Sequence, residues 1–204
     1  MTFQEILDLA VYQSGSMGSD EGLADLENDA KIMLKSYVNE AYRIIARDFY
    51  KPYKLEEITL DEDGGFDPSV LSEAMNEIIA VSATKEALAN GNGARAVYDP
   101  LNMDYNQLTS DFVGKPGESV WICYTFLYPD MELKEDTVDV PRIPEQYHAL
   151  LADYATWRYM STGNADKQNR ASFFYGRWLE ETQKIQKFGA KSFVTNQFRN
   201  LWTR

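Results

Sequence analysis

Cysteine occurs once in the sequence, as Cys123, and histidine once, as His148. One cysteine forms no internal disulfide and fits a reducing setting such as a cytoplasm. A lone histidine has no second imidazole to share a metal with. No run of 18 apolar residues exists, which excludes a transmembrane helix. The opening MTFQEILDLAVYQSG has neither a basic stretch nor a small-residue cleavage pattern, so it does not read as a signal peptide. Acidic side chains end at Glu181, and Lys184, Lys187, Lys191, Arg199 and Arg204 follow.

What is present is a chain of 204 residues, 44% hydrophobic and 13% aromatic, enough for a sizeable core. Its net charge of −12 is unevenly spread: −3 over residues 1–54, −14 over 55–145 and +5 over 146–204. So acidic a middle repels phosphates and argues against tight DNA binding. A basic, aromatic end suggests docking onto an acidic surface.

Helical periodicity dominates both ends. In TFQEILDLAVYQ, Thr2 and Glu5 have capping-box spacing, and Phe3, Ile6, Leu7, Ala10 and Val11 form one stripe. A second helix is expected from about Leu26 to Tyr50, stopped by Lys51-Pro52. A third begins at Pro144 and runs to about Ser161, with Gly163 as its C-terminal stop; a fourth runs from about Asp166 to Lys187. The last two make an αα-hairpin with Tyr147, Leu150, Leu151, Tyr154, Phe174 and Trp178 as its core, and with Asp166–Arg170 and Glu180–Lys184 pairs on its surface.

Between the helices the pattern changes to short alternating and β-branched runs, EEITL, NEIIAVSA, RAVYDP and SVWICYTFLYP, separated by Gly/Asn turns. The expected fold is therefore α+β. N-terminal helices and a C-terminal αα-hairpin form a helical core (1–54 and 142–188), an antiparallel β-rich insertion lies between them (55–141), and an extended tail (189–204) follows. DMELKEDTVDVPRIP reads as an acidic linker back to the helices.

No stretch carries a strong chemical motif. DEDGGFD (Asp61–Asp67) lacks the spacing of a calcium loop, and NGNG (Asn90–Gly93) lacks the Lys-Ser/Thr of a phosphate loop; both read as turns. His148 flanks the apolar stripe of its helix and reads as a half-buried packing residue rather than a base. Cys123 reads as a small apolar strand residue. Glu56-Glu57 and Glu135-Asp136 read as solvated carboxylates, since nothing nearby promises the desolvation that raised-pKa catalysis needs. The expectation is of no catalytic residue, no metal and no cofactor. The tail is different: Lys191, Phe193, Phe198, Arg199, Leu201, Trp202 and Arg204 form the aromatic-cation mixture that interfaces use.

The segment IPEQYHALLADYA (Ile143–Ala155), following VWICYTFLYP and the acidic linker, resembles the head–tail adaptor proteins of tailed bacteriophages. Those proteins carry a similar I/L-P-E-x-Y/F-H-x-x-L stretch, an L-x-x-Y-A helix, a short polar loop and a second long helix. FFYGRWLEETQKI is similar to that second helix, and NDAKIMLKSYVNEAYRIIARDFY to the family's N-terminal helix. The likeness covers about half the chain. It implies a virion neck component, assembled in the host cytoplasm: a homo-oligomeric ring, usually of twelve copies, below the portal protein. Such a ring offers a platform for the tail or next neck protein, passes double-stranded DNA through its lumen without specific binding, and contacts no membrane. A cytoplasmic, non-catalytic module recruiting a partner through its tail is the alternative.

Overall fold

The computed structural model describes residues 1–15, 26–62, 65–89, 94–95, 116–134 and 138–189, with side chains of the last helix described to Ile185. The expected docking tail, with Lys191, Phe193, Phe198, Arg199, Leu201, Trp202 and Arg204, lies outside the described residues. So do the NGNG turn and the Glu135-Asp136 pair. The fold is α+β, with an antiparallel sheet inserted between helices. The chain divides into two compact units, one of Met1–Tyr50 and Tyr128–Lys187, the other built on Lys51–Leu127.

The helical unit starts with α1 (Phe3–Ser14). The Thr2 hydroxyl accepts from the Glu5 N–H at 3.1 Å while the Glu5 carboxylate accepts from the Thr2 N–H at 2.8 Å, closing the expected capping box. Gly15, at φ 61°, ends the helix in the left-handed conformation that suits glycine. Phe3, Ile6, Leu7, Ala10 and Val11 are all buried, as the periodicity predicts.

Helix α2 (Asn28–Ile44) widens into a π-helical turn, Ile45–Tyr50, and stops at Lys51, whose φ of 47° no longer follows the helix. A 3-10 turn, Glu145–Tyr147, leads into α4 (His148–Ser161), and α5 (Ala165–Gly189) returns alongside it. The antiparallel pairing of α4 and α5 shows in their contacts: Tyr154 meets Trp178 at 4.8 Å between ring centroids, and Trp157 stacks on Tyr175 at 4.4 Å.

Three expectations for the hairpin need correction, and the structure specifies the reason for a fourth. Leu150, Leu151, Tyr154 and Trp178 are buried, but Tyr147 and Phe174 are only half-buried, Tyr147 because it lies in the 3-10 turn ahead of the helix. Helix α4 has no single apolar stripe: Leu150 to Thr156 are buried without a break, because α1 and α2 both pack on it and α5 lies alongside. Gly163 follows the cap residue Thr162, where the sequence placed the stop, without being left-handed. A β-carbon there would stand 2.7 Å from Lys167 Cδ and 3.2 Å from the Met160 carbonyl, so the loop needs glycine for close approach, not for its φ. The Asp166–Arg170 pair does not form, since the Arg170 guanidinium covers Gly15 instead, whereas Lys184 bonds Glu180 at 3.2 Å and also Glu181.

The expected acidic linker belongs to the helical unit, so the insertion ends at Leu127 rather than at residue 141. Asn39, Tyr42 and Arg43 occupy neighbouring positions on α2 and hold this segment. The Asn39 amide donates to the Met131 carbonyl at 3.0 Å and accepts from the Met131 N–H at 2.9 Å. Tyr42 stacks on Tyr128 at 5.2 Å, and its hydroxyl accepts from the Arg142 N–H at 2.8 Å. Arg43 grips both oxygens of Asp130, at 2.6 and 2.7 Å. Further along, the Asp139 carbonyl accepts from the Phe3 N–H at 2.8 Å, tying the segment to α1 as well.

The β unit is a four-stranded sheet in the order β1-β4-β2-β3, where β1 is Tyr53–Thr59, β2 Ala74–Ser82, β3 Ala94–Arg95 and β4 Ser119–Leu127. All pairings are antiparallel. Both faces are apolar. Ile58, Val81, Val120, Ile122 and Tyr124 pack under Leu60 and Phe66 from the connection after β1. On the other face Ala80 and Cys123 pack with Leu88 of α3 (Lys85–Ala89), a helix too short for periodicity to announce. SVLSEAM supplies the 3-10 turn Pro68–Val70 and then the start of β2.

Replacing Asn39 with alanine leaves both backbone groups of buried Met131 unpaired. We expect a loss on the order of 2–4 kcal/mol of stability, read as a lowered urea midpoint of the helical unit; an unchanged midpoint refutes the bridging role.

Candidate functional site

Three groupings of polar and aromatic side chains stand out among the described residues. The first is buried in the helical unit. Asp153 on α4 has a fully buried side chain and is met by Arg177 of α5, Nε at 2.7 Å and the second guanidinium nitrogen at 2.5 Å. Gln13 of α1 donates to the same carboxylate at 3.0 Å, and its carbonyl oxygen lies 2.8 Å from the Thr156 hydroxyl. Burial raises the Asp153 pKa above the ordinary carboxylate value, against the hydrogen bonds from Arg177 and Gln13 that favour the charge.

At the start of the same helix lies His148, fully buried rather than half-buried as expected. Its Nε2 is 2.9 Å from the Ile143 carbonyl, which fixes the proton on that nitrogen. Nδ1 lies 3.1 Å from both the Met1 ammonium and the Met1 carbonyl oxygen. Both ring nitrogens are therefore occupied in holding the entry to α4.

The second grouping is on the sheet. Glu56 of β1, expected to be solvated, is half-buried. It accepts from the Tyr124 hydroxyl at 2.6 Å, from the Ser72 N–H at 3.1 Å and from the Ser72 hydroxyl, and pairs with Lys54 at 3.1 Å. Burial opposes its charge, but the bonds from Ser72, Tyr124 and Lys54 outweigh it and hold the carboxyl down to about 2. Tyr124 is pushed up to about 12, by burial and by donating to that carboxylate. Serine, lysine and a carboxylate in contact form the raw material of a nucleophilic site. A carboxylate held ionised this firmly instead acts as an acceptor that locks three donors in place.

The third is an aromatic surface on the helical unit. Arg158 lies over the Tyr37 ring at 5.2 Å and the Trp157 ring at 5.8 Å, and pairs with Glu40 at 3.7 Å. Trp157 stacks on Tyr175 of α5, leaving Trp157 and Tyr37 half-buried and Tyr175 38% exposed. Burial and a hydrogen bond to Glu40 push the adjoining Tyr154 up to about 12.

The other residues singled out in the sequence are accounted for locally. Cys123 is buried in β4, and burial pushes its thiol up to about 11, away from the thiolate a nucleophile requires. Asp61 accepts from the Gly65 N–H at 2.7 Å, and Asp67 from the Ser69 N–H at 2.8 Å, so both serve the backbone of their own loop. No group of three His, Cys, Asp or Glu side chains among the described residues is arranged to hold a metal ion, and no helix among them is long and apolar enough to cross a membrane. Compared with protein-family models and with curated protein sequences, the chain matches none.

The sequence reading missed Asp153, Gln13 and Arg177 as a set. A signal exists: one acid inside ALLADYA on an apolar helix, and one arginine in FFYGRWL on the next. It missed the aromatic surface because Trp157 and Tyr175 sit on different helices.

Two outcomes follow. Arg177→Ala should cost about 2–3 kcal/mol, less than the ~3–5 of a fully buried pair, because the arginine side chain is 41% exposed. Ionising Asp153 costs the fold stability as pH rises through its raised pKa, so the deficit of that variant should shrink in acid, and adding Asp153→Asn should recover part of it. Equal deficits across pH in chemical denaturation would contradict the assignment. For Glu56 the sign is opposite: its folded pKa of about 2 lies below the ordinary 4.5, so its contribution is complete above pH 4.5 and lost as pH falls toward 2. Glu56→Gln should lower stability at neutral pH and flatten the acid limb between those values.

Proposed function

We propose that the protein is a structural head–tail adaptor of a tailed phage, a ring component beneath the portal, and not an enzyme. The observation that carries this reading is the use made of the polar residues in the IPEQYHALLADYA segment. His148 bonds the Ile143 carbonyl and Asp153 bonds Arg177, so the stretch that resembles the adaptor family works as a packing device. The order of elements supports the same reading: two helices, an antiparallel insertion, then a proline-led helical hairpin. So does the surface of Tyr37, Trp157, Arg158 and Tyr175, of the composition that protein interfaces favour. The acidic middle of the sequence suits a channel through which DNA slides without sticking.

Negative-stain imaging and native mass measurement of the protein, alone and mixed with portal, test the proposal. A closed ring or a ring-on-portal complex is the expected result. A monomer that binds one partner through its tail would support the recruiting module instead. Removing residues 189–204 should leave a folded protein that no longer attaches to portal; a truncated protein that attaches at parental affinity removes the tail from the account.

A further inference from the structure

Among the described residues, strand β1 is the outer strand of its sheet and pairs on one side only, with β4. The bonds at the two ends of that ladder fix its phase. The Phe126 N–H donates to the Pro52 carbonyl at 3.1 Å, and the Leu60 N–H to the Glu118 carbonyl at 3.0 Å. The even-numbered residues of β1 therefore direct their backbone groups to β4. Leu55, Glu57 and Thr59 direct theirs outward, and none of the three has a partner on that side among the described residues.

Such an edge is a template for another strand. Its register with β4 runs without a bulge and it contains no proline, two of the devices that blunt edges. The charges on it select the partner. Glu57 is exposed and has no ion pair among the described residues, and Glu62, in the turn that follows, is likewise exposed and unpaired. Lys54 is engaged by Glu56 and Ser72. An acidic edge disfavours a second acidic strand and favours one that brings a cation opposite Glu57.

The same sequence holds a segment of that character. Residues 190–204, AKSFVTNQFRNLWTR, contain three cations, no acid, and the β-branched and aromatic residues that suit a pleated strand. Fully extended they would reach about 50 Å, at ~3.3 Å per residue, ample to run the length of β1.

We propose that β1 accepts the C-terminal segment of a neighbouring copy as a fifth strand, with one of Lys191, Arg199 or Arg204 beside Glu57. That the donor is another copy rests on the ring reading above; the open, acidic edge does not.

Cysteine cross-linking of the full-length chain tests this. Cys123 is buried, so introduced thiols are the accessible ones. Glu57→Cys protein, mixed with a differently tagged Lys191→Cys, Arg199→Cys or Arg204→Cys protein and oxidised with diamide, should yield a mixed covalent dimer with one of the three. Thr59→Pro in the Glu57→Cys chain removes an outward N–H that β4 does not use, so the sheet should stay folded by circular dichroism. It should cut the dimer yield about threefold or more, the worth of one backbone hydrogen bond. No mixed dimer, or a cross-link found only within a single chain that carries both introduced cysteines, overturns the proposal. Native mass of the same samples separates the two readings: a ring without the dimer leaves the ring standing and removes the strand exchange, and the dimer without a ring does the reverse.

Discussion

One buried carboxylate organises the helical unit. Asp153 sits on a helix with neighbours on every side, where an uncompensated charge is intolerable. Gln13 and Arg177 compensate it, and each belongs to a different helix. Apolar contacts alone would let α1 and α5 slide along α4 at little cost, since one buried leucine replaces another. A carboxylate needing two donors permits only the register in which both arrive. Arg177, its guanidinium partly in water, also gives the charge a path to solvent without opening the core.

The β unit solves a different problem. A sheet of four strands with two apolar faces must be covered on both. It uses pieces too small to be domains of their own, namely Leu60 and Phe66 on one side and the single-turn α3 with Leu88 on the other. Glu56 then fixes the start of β2 against β1 and β4 through Ser72 and Tyr124. In both units a carboxylate placed among apolar residues sets the position of separate segments. The chain's acidity is thus partly structural, in addition to the exposed share that shapes its surface.

Features that depend on neighbours in sequence could be read from it. The capping box at Thr2 and Glu5, the buried stripe of α1, the hairpin of α4 and α5, and the antiparallel insertion all follow from spacing and turn chemistry. Features that depend on distant pairs could not. Asn39 and Met131 meet across 92 residues, and no periodicity signals that an amide on one helix will bridge a backbone in an acidic stretch. Polar composition made that stretch read as a linker because solvation and bonding to a helix look alike in one dimension. Gly163 was identified as a stop, but its reason, the approach of Lys167, is a contact that φ preferences do not encode. Glu56 and His148 were judged by their flanking residues, whereas their burial is decided by strands and termini elsewhere in the chain.

The pairing of α1 with α4 also sets an order of events. Ala10 and Thr156 touch across 146 residues, while the farthest partners in the β1–β4 ladder, Tyr53 and Thr125, are 72 apart. On a chain emerging from the ribosome the sheet can close as soon as Leu127 is out. Helices α1 and α2 lack their main packing partner until His148–Ser161 follows. They must wait, amphipathic and unshielded, through the synthesis of about a hundred residues, and the helical unit is completed last.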